Sequence, residues 1–341
     1  MKTIAMCALL AALAFGLLPG NRDEAAAPDE GLVLLVETQQ DAQAPQKASS
    51  AQQNESEAIM TQTAPDAQTV RLLDDGAVAE LSMEDYLTGV LLSEMPADFE
   101  TEARKAQAVA ARTFTCRKLL QPKHENADVC AEASCCQAWT SQEQLRQKYG
   151  ASFDAVWSAA REAVRQTAGE VLTYGGQLID AVYFSCSGGA TEAAVAVWGT
   201  DVPYLQAVES PGEEAAPRFS SRAVFSPEEF SQRLMQENPD VQLSGSPDAW
   251  LGETTRSAGG GAATCSIGGV SFSGTQLRRM FGLNSTRLTL SYQDGDFVFD
   301  VTGFGHRVGM SQYGAQTMAQ LGFSYQTILQ YYYQGAEVER Q

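Results

Sequence analysis

The chain is poor in histidine and in basic residues, and both shortages exclude classes of function. Only two of its 341 residues are histidines, His124 and His306, which leaves few options for a catalytic imidazole. Lysine and arginine together number 23 against 42 aspartates and glutamates, so the formal net charge is −19. Nucleic acid requires a basic binding surface, because its phosphates must be neutralised. The composition therefore excludes nucleic acid as a partner.

Long apolar runs are also scarce, and we find no internal repeat and no glycine-rich phosphate-binding pattern at a strand–helix junction. The apolar run at residues 4–18 has the length of a signal peptide and is short for an unaided membrane span. Residues 1–19 are therefore predicted to be either an N-terminal membrane anchor or a cleaved signal segment. Both interpretations export the remainder of the chain.

Composition divides the rest of the chain into a linker and a folded domain. Residues 20–66 are rich in alanine, glutamine, serine, proline and acids, and cannot bury enough apolar surface to fold. Residues 67–341 are predicted to form the folded domain, which is long enough for a substantial core. Within it, residues 209–265 are expected to be a loop-rich elaboration that one helix, at about residues 227–236, interrupts.

Hydrophobic segments separated by turn residues predict an α+β fold of mixed helices and antiparallel hairpins. Two hairpins are expected across Asp74-Asp75-Gly76 and across Asp294-Gly295. A third hairpin is expected between residues 171–174 and 178–184. Residues 272–283 predict a helix that a glycine terminates.

One predicted helix carries a glutamate at its end. Ser82 is a suitable N-cap, with Asp85 three residues later, and Leu91 and Glu94 share one helical face. Pro96 disfavours helical geometry at the preceding residue, so the helix should end there. A carboxyl group on the core-facing side of a helix end is partly desolvated, which raises its pKa, as a general acid for a glycosidic bond requires. On spacing alone, a glutamate that caps or pairs with the following helix is the simpler interpretation.

Two adjacent motifs carry a family resemblance. The first is Ser93-Glu-Met-Pro96, and the second, Glu102-Ala-Arg-Lys-Ala-Gln-Ala-Val-Ala-Ala-Arg-Thr-Phe114, lies in an alanine-rich helix predicted for residues 100–119. Both closely resemble the stage II sporulation protein D family, which also includes amidase-enhancer proteins. In its sporulation members the matching glutamate is the catalytic acid of a lytic transglycosylase. The resemblance therefore implies that Glu94 is the catalytic acid, and it places Arg112 among the candidate substrate contacts.

Four potential zinc ligands lie within thirteen residues of one another. They are His124, Cys130, Cys135 and Cys136. Zinc prefers four such ligands in a tetrahedron, whereas the alternative in an exported protein is a disulfide from Cys135 or Cys136 to Cys116 or Cys186. Some sporulation members of the family bind zinc at this place, although they often carry histidine where Cys135 stands. The resemblance thus implies a zinc ion with a structural or positional role.

Two glycine-rich segments are candidates for a substrate groove. They are Ser185-Cys-Ser-Gly-Gly-Ala-Thr-Glu192 and Gly303-Phe-Gly-His-Arg-Val-Gly-Met-Ser-Gln-Tyr-Gly-Ala315, in which bare backbone alternates with polar side chains. A catalytic Cys186 is disfavoured, because His306 would be the sole imidazole left to activate it. The matching family segments imply glycan contacts from Ser185, Ser187, Thr191, His306, Gln312 and Tyr313. The family often has glycine where Arg307 stands, and this arginine could meet a carboxylate or lie at the surface.

The resemblance extends from about residue 69 to residue 335. It implies a two-lobed domain with a glycan-binding groove, which an N-terminal membrane anchor precedes in the chain. The implied activity is cleavage between N-acetylmuramic acid and N-acetylglucosamine, leaving 1,6-anhydro ends, during the engulfment step of sporulation. The implied partners are peptide-stripped peptidoglycan strands, the amidase stage II sporulation protein P and stage II sporulation protein M. The implied location is the cell membrane, with the domain outside the cytoplasm. Two other classes stay open, a non-enzymatic glycan-binding enhancer of a cell-wall amidase and a zinc-stabilised structural protein.

Overall fold

The computed structural model describes residues 69–341, and every structural statement below concerns that range. The predicted anchor, residues 1–19, and the predicted linker, residues 20–66, lie outside the described residues. Helices and antiparallel strands are mixed along the described range, which confirms the predicted α+β class. None of the helices in this range is both long enough and apolar enough to cross a membrane.

Serine N-caps start most of the helices, because each serine hydroxyl accepts a hydrogen bond from a backbone N–H of the first turn. The capping serines are Ser82, Ser141, Ser226, Ser273, Ser311 and Ser324. The helices of the described range are α1 (Met83–Glu94), α2 (Thr101–Leu120), α3 (Gln142–Tyr149), α4 (Phe153–Gln166), α5 (Ala194–Trp198), α6 (Pro227–Glu237), α7 (Gly274–Phe281), α8 (Gln312–Gln320) and α9 (Tyr325–Tyr332).

The strands are short and form several small sheets. They are β1 (Thr69–Asp74), β2 (Ala77–Ser82), β3 (Val129–Cys130), β4 (Glu170–Tyr174), β5 (Gln177–Leu178), β6 (Tyr183–Phe184), β7 (Gly189–Ala190), β8 (Glu209–Ser210), β9 (Ser220–Phe225), β10 (Leu251–Arg256), β11 (Ala262–Ile267), β12 (Val270–Ser273), β13 (Arg287–Gln293), β14 (Asp296–Thr302), β15 (Met310–Ser311) and β16 (Glu337–Arg340). The strand orders are β2-β1-β3, β10-β11-β12, β13-β14-β9, β16-β4-β5, β15-β6 and β7-β8.

Two of the predicted hairpins form as expected. In both turns the two central residues adopt positive φ, at 46° and 80° for Asp75 and Gly76 and at 54° and 94° for Asp294 and Gly295. Such turns match the twist of the strands that they join. The third prediction is partly wrong, because β5 pairs with β4 while β6 leaves to run parallel to β15. The partner of β6 is β15, more than a hundred residues later in the chain, and a local sequence pattern cannot predict such a pairing.

The stretch at residues 209–265 holds more regular structure than its glycines suggest. The predicted helix is present as α6, and β9, β10 and most of β11 lie in the same stretch. Strand β9 is the edge partner of β14, with Phe225 opposite Phe297. Half-buried and exposed residues alternate along β9, so only one of its faces packs inward and its hydrophobic signal is weak.

Two hydrophobic cores lie in the described range, and we call the parts around them the first lobe (residues 69–210 and 304–340) and the second lobe (residues 220–302). In the first lobe the small residues of α2, such as Ala103 and Ala106, are fully buried and let other backbones approach closely. The core of the second lobe is aromatic. Phe230 stacks on Phe297 with ring centroids 3.8 Å apart. The chain passes from the first lobe into the second and returns to the first.

Candidate active site and metal centre

Glu94 is the last residue of α1, as the sequence predicts. The next residue, Met95, is extended, and its N–H donates to Leu91 O to close the helix. The Glu94 side chain is half-buried, and its Oε1 accepts a hydrogen bond of 2.7 Å from the backbone N–H of Ala138. Lys105, a cation of the following helix α2, pairs with Glu102 at 2.8 Å. The Glu94 carboxyl group is therefore held at a helix end by a loop that follows the cysteine cluster.

Two tyrosines flank Glu94 and are joined to each other through one amide. Gln137 Oε1 accepts a 2.8 Å hydrogen bond from Tyr183 Oη, and Gln137 Nε2 donates to Tyr86 Oη at 3.3 Å and to Thr115 Oγ1 at 3.0 Å. Burial, and to a lesser degree the charge of Glu94, raises the pKa of both phenols well above the usual value. Both tyrosines are thus neutral hydrogen-bonding groups at physiological pH.

The C-terminal glycine-rich segment returns to the same place. Strand β15 runs parallel to β6, and the N–H of Tyr313 donates to Ser185 O at 3.0 Å. The Tyr313 ring meets Phe99, five residues beyond Glu94, edge to face with ring centroids 5.0 Å apart. Gln312 Nε2 reaches Gln107 Oε1 of α2 at 3.5 Å. Three separate sequence motifs therefore converge beside α1, and Ser185 and Tyr313 keep part of their surface accessible there.

Other predicted glycan contacts are used inside the protein. Ser187 is fully buried, and its N–H and hydroxyl donate to Glu213 Oε2 at 2.5 and 2.8 Å. Thr191 is equally buried, and its hydroxyl accepts from the N–H of Val208 at 2.9 Å. In this conformation neither side chain has surface to offer a glycan. Their direct contact with substrate is therefore not supported, and they instead shape the backbone of this segment.

Glu213, which the sequence analysis missed, holds the two glycine-rich segments together. Its Oε1 accepts hydrogen bonds of 2.5 Å from Ser210 and 2.6 Å from Ser311, while its Oε2 accepts from Ser187 and from the N–H of Gly188. No local signal identifies this role, because the hydroxyl and amide donors come from three separate segments of the chain. A single buried carboxyl group thus fixes the start of α8 against residues 187–188.

Arg112 lies in the wrong place for a substrate contact. Its side chain is fully buried, and its guanidinium donates to Val164 O at 3.0 Å, to Glu170 O at 3.3 Å and to Thr167 Oγ1 at 3.4 Å. These acceptors lie at the end of α4 and the start of β4. The alanine-rich helix α2 is enclosed on this side, so Arg112 ties α2 to its neighbours and does not reach solvent.

His306 and Cys186 are both buried in this region. His306 is 6% exposed, its Nδ1 accepts from the N–H of Val308 at 3.1 Å, and its ring lies 5.5 Å from those of Phe184 and Trp198. Burial raises the pKa of the Cys186 thiol to about 12. A thiol that keeps its proton is a poor nucleophile, so a catalytic role for Cys186 stays disfavoured.

Arg307 meets a carboxylate inside the protein, which decides between the two alternatives left open for it. The guanidinium donates to Glu192 Oε1 at 2.9 Å and to Ser187 O at 2.8 Å, both in the first lobe. It also donates to Gly259 O at 2.6 Å and to Thr286 Oγ1 at 3.3 Å, both in the second lobe. Arg307 is fully buried and has a φ of 68°, in the left-handed region that favours glycine. It therefore clamps the two lobes together.

The four predicted zinc ligands come together in space. His124 Nε2 lies 3.7 Å from Cys135 Sγ and 3.6 Å from Cys136 Sγ, and all four ligand atoms, including Cys130 Sγ, lie within 4.8 Å of one another. A tetrahedral zinc ion with ordinary bond lengths places neighbouring ligand atoms about 3.5–3.8 Å apart. The donor set and its spacing therefore fit zinc. None of the six cysteines in the described range forms a disulfide.

The loop that carries the candidate metal ligands also holds the Glu94 side chain. Strand β3, which ends at Cys130, pairs with β1, and the N–H groups of Cys135 and Cys136 both donate to Glu132 O. Gln137 and Ala138 follow directly, and they are the residues that bind Tyr183 and Glu94. A metal ion at the cluster would therefore fix the backbone that holds the Glu94 carboxyl group.

Comparison with known proteins gives one family and several relatives. A family model described as "Stage II sporulation protein" matches residues 74–174. The chain is 37% identical over 269 residues to Stage II sporulation protein D of Bacillus subtilis (strain 168), covering 77% of this chain and 76% of that protein. It is 36% identical over 266 residues to the protein of the same name from Bacillus amyloliquefaciens, covering 77% and 75%. It is also 30% identical over 301 residues to Amidase enhancer of Bacillus subtilis (strain 168), covering 73% of this chain and 39% of that protein.

Proposed function

Because the chain belongs to the stage II sporulation protein D family, we propose that it is a lytic transglycosylase that cuts the glycan strands of peptidoglycan. The family and the amidase-enhancer relative support the coarser statement, a sporulation role at the cell wall. The observation that carries the finer proposal is the position of Glu94. It is a half-buried carboxyl group at a helix end, held by the Ala138 N–H and flanked by motifs that converge from three parts of the chain.

The proposed reaction needs one carboxyl group. Glu94 gives its proton to the glycosidic oxygen as the bond from that oxygen to C1 of N-acetylmuramic acid breaks. The 6-hydroxyl of the same sugar then bonds to C1 and returns its proton to the Glu94 carboxylate. The products are a free 4-hydroxyl on N-acetylglucosamine and a 1,6-anhydro end, no water is consumed, and Glu94 is regenerated in its protonated form.

Three other acids near these motifs, the buried Glu192 and Glu213 and the partly exposed Glu102, favour this choice over hydrolysis. A glycoside hydrolase normally requires a second carboxylate, either to activate water or to form a covalent intermediate. Glu192 is paired with Arg307 at 2.9 Å, and Glu213 accepts hydrogen bonds from several donors. Glu102 pairs with Lys105 and also accepts from the N–H of Tyr325. These three acids have structural partners, so none of them is offered as the second carboxylate that hydrolysis requires.

The test compares the full chain, its Glu94→Gln variant and a control variant, Glu100→Gln, on purified peptide-free glycan strands. Glu100 is an exposed acid close to Glu94 in sequence, so its loss should leave cleavage unchanged. We expect mass spectrometry to show 1,6-anhydro ends with the intact chain and the control, and a loss of about 10²–10⁴-fold with Glu94→Gln. Reducing ends in place of anhydro ends would contradict the mechanism and indicate hydrolysis.

The similarity to a protein named Amidase enhancer favours a second candidate, a non-enzymatic glycan-binding protein that stimulates a cell-wall amidase. That function would use the groove and would not need Glu94. The enhancer replaces the transglycosylase if three results are found together. The intact chain and Glu94→Gln bind the strands equally, neither protein cuts the strands, and both stimulate the amidase to the same extent.

We also propose that the cysteine cluster binds a structural zinc ion. Three thiolates and one imidazole would fill the four tetrahedral positions, so the ion would hold the loop up to Ala138 and leave no position for substrate. Metal analysis of the purified chain should find stoichiometric zinc, lost in Cys135→Ser and retained in Cys265→Ser, which alters a buried thiol of the second lobe. Equal zinc content in all three proteins would contradict the site.

The proposed setting follows the family. The chain would be anchored at the cell membrane by its N-terminal segment, with residues 67–341 outside the cytoplasm. Its substrate would be glycan stripped of peptides by the amidase stage II sporulation protein P, with stage II sporulation protein M as a further partner. The N-terminal segment lies outside the described residues, so this arrangement is a proposal from sequence.

A further inference from the structure

A recess in the protein surface lies along α1, between Glu94 and the N-terminal end of the helix. It is open to solvent and has a volume of about 480 Å³, within the range of about 300–1,000 Å³ that is usual for ligand sites. Its lining includes Trp139, Trp157, Arg146, Asp85 and Thr140. We call it the tryptophan pocket. None of these residues belongs to the motifs that suggested the glycan groove.

The tryptophan pocket is continuous with the surroundings of Glu94. The segment at residues 138–142 runs along α1 towards the N-terminal end of the helix. The N–H of Ala138, the first residue of this segment, donates the hydrogen bond that Glu94 accepts. Two residues later, Thr140 Oγ1 accepts a 2.8 Å hydrogen bond from Ser93, the neighbour of Glu94. Residues 139–142 then line the pocket, which reaches as far as Asp85 in the first turn of α1. A strand bound at Glu94 can therefore continue into the pocket without leaving the surface.

The helix itself is built to accept Trp139. Gly89 lies in the middle of α1, where a glycine is about 1 kcal/mol less favourable than alanine. A Cβ atom at this position would overlap the indole of Trp139 and also crowd Thr140 O. Gly89 thus admits the indole ring closely against the helix, one turn before Ser93. The lower helix propensity of this glycine is thus accompanied by close packing that fixes Trp139 at the wall of the pocket.

The chemistry of the lining favours a sugar ring as the occupant. Trp139 and Trp157 are both half-buried, so each presents part of an indole ring to the space. An indole offers a large apolar face, which suits the apolar face of a sugar ring. The Nε1 edge of Trp139 is buried against Gly89, so this indole contributes its face and not its polar edge. Arg146, Asp85 and Thr140 supply hydrogen-bonding groups of both kinds beside the rings. The guanidinium of Arg146 is itself placed by stacking 4.2 Å over Phe153, and half of its side chain stays exposed.

We propose that the tryptophan pocket is a distal subsite that binds a sugar unit of the same glycan strand whose linkage lies at Glu94. The inference rests on the proposed substrate class, glycan, and not on the cutting step. Its consequence is a preference for long strands, because only a strand that spans from Glu94 to the first turn of α1 can occupy the whole pocket as well as the cutting site. A strand that occupies both the tryptophan pocket and the site at Glu94 must lie along α1.

The test measures binding without cleavage, using the full chain with Glu94→Gln. Calorimetric titration with long peptide-free strands and with the disaccharide unit gives two affinities, and their ratio reports the distal contact. We expect Trp157→Ala to weaken binding of the long strands by about tenfold and to leave the disaccharide unchanged. Arg146→Ala should act in the same direction with a smaller factor.

Controls separate this effect from misfolding and from the cutting step. Arg222→Ala removes an exposed arginine of the second lobe, 57% exposed against 52% for Arg146, and should leave both affinities unchanged. Thermal unfolding of each variant checks the fold, and Arg146→Ala carries the test if Trp157→Ala unfolds. A Trp157 or Arg146 variant with an unchanged long-to-short ratio overturns the subsite, as does a chain that binds no glycan. Absence of cleavage by the intact chain, with the length preference retained, overturns the transglycosylase and leaves the subsite standing.

Discussion

The first lobe encloses hydrogen-bonded polar side chains among its apolar helices, whereas the second lobe encloses stacked phenylalanines. Ser187, Gln137 and Arg112 are all buried in the first lobe, each with several hydrogen-bond partners. Phe230 in the second lobe lies against Phe297 and also against Phe281, with ring centroids 5.0 Å apart in the latter pair. Stacked aromatic rings can fill space in several relative orientations, whereas each buried polar group needs a hydrogen-bond partner at a fixed distance and direction.

This difference indicates how the work of the fold is divided. Glu94, the cysteine cluster and the tryptophan pocket all belong to the first lobe. The second lobe contributes none of the residues proposed for chemistry, and it meets the first through Arg307, whose guanidinium has acceptors on both sides. We infer that the second lobe is a support that holds the segment at residues 303–313 in place beside Phe99 and α2.

The largest effect is expected where the two lobes join. Arg307→Met leaves Glu192 as a buried carboxyl group without its cation, which lowers the free energy of unfolding by about 3–5 kcal/mol. The matched control is Arg222→Met, which breaks an exposed arginine–aspartate pair and should cost about 1 kcal/mol or less. Chemical denaturation measures both. Equal small losses would show that Arg307 is not a clamp.

A change in the aromatic core should be nearly as large but confined to the second lobe. Phe230→Ala removes a fully buried ring and leaves a cavity, so the free energy of unfolding falls by about 3–5 kcal/mol. Val224→Ala, at a residue that is 52% exposed, should change it by about 0.5 kcal/mol or less. Hydrogen exchange should show faster opening at residues 220–302, with the loop at residues 130–138 unchanged. Uniform loss of protection would contradict the division into two cores.

An intermediate effect is expected at the wall of the tryptophan pocket. Gly89→Ala improves helix propensity by about 1 kcal/mol but forces its new methyl group into Trp139, which costs about 1–3 kcal/mol. We expect a net loss of stability and a changed fluorescence emission of Trp139. Gly282→Ala, at a position with open space but positive φ, separates strain of the backbone from this steric contact. A stabilised Gly89→Ala protein would contradict the close packing.

The smallest effect contrasts two tyrosines. Tyr332 Oη shares a 2.6 Å hydrogen bond with Ser210, which in turn donates to Glu213, so Tyr332→Phe should lower the free energy of unfolding by about 0.5–1.5 kcal/mol. Tyr292 packs on Phe297 through its ring, so Tyr292→Phe should be close to neutral. Thermal melting of both variants measures the difference. Equal losses would remove the contrast between polar and aromatic cores.

The sequence predicts best what depends on neighbours along the chain. The helix that ends at Glu94 is defined by Ser82 and Pro96, and the turns at residues 75–76 and 294–295 are defined by their own residues. The clustering of the metal ligands was predictable as well, because all four lie in one loop. The burial of Ser187, Thr191 and Arg112 was not predictable, since a motif identifies a segment but not which of its side chains face solvent.

The features that escaped prediction depend on partners far away in sequence. Glu213 bonds to Ser187 and Ser311, which are 26 and 98 residues distant, and Arg307 pairs with Glu192 over 115 residues. Strand β9 gains its regular structure from β14, and β6 gains its partner from the end of the chain. Such pairings follow from the packed fold, and no window of local sequence contains them.

The central claim is that Glu94 cuts glycan by an internal attack that uses no water. Digestion of peptide-free strands by the full chain in water enriched in oxygen-18, followed by mass spectrometry, tests it directly. The account predicts new ends of 1,6-anhydro mass without the heavy isotope, and none of these ends with Glu94→Gln. New reducing ends would contradict it if they carry more oxygen-18 than an uncut reducing-end standard gains by exchange with the same water, because hydrolysis places an oxygen atom from water on C1.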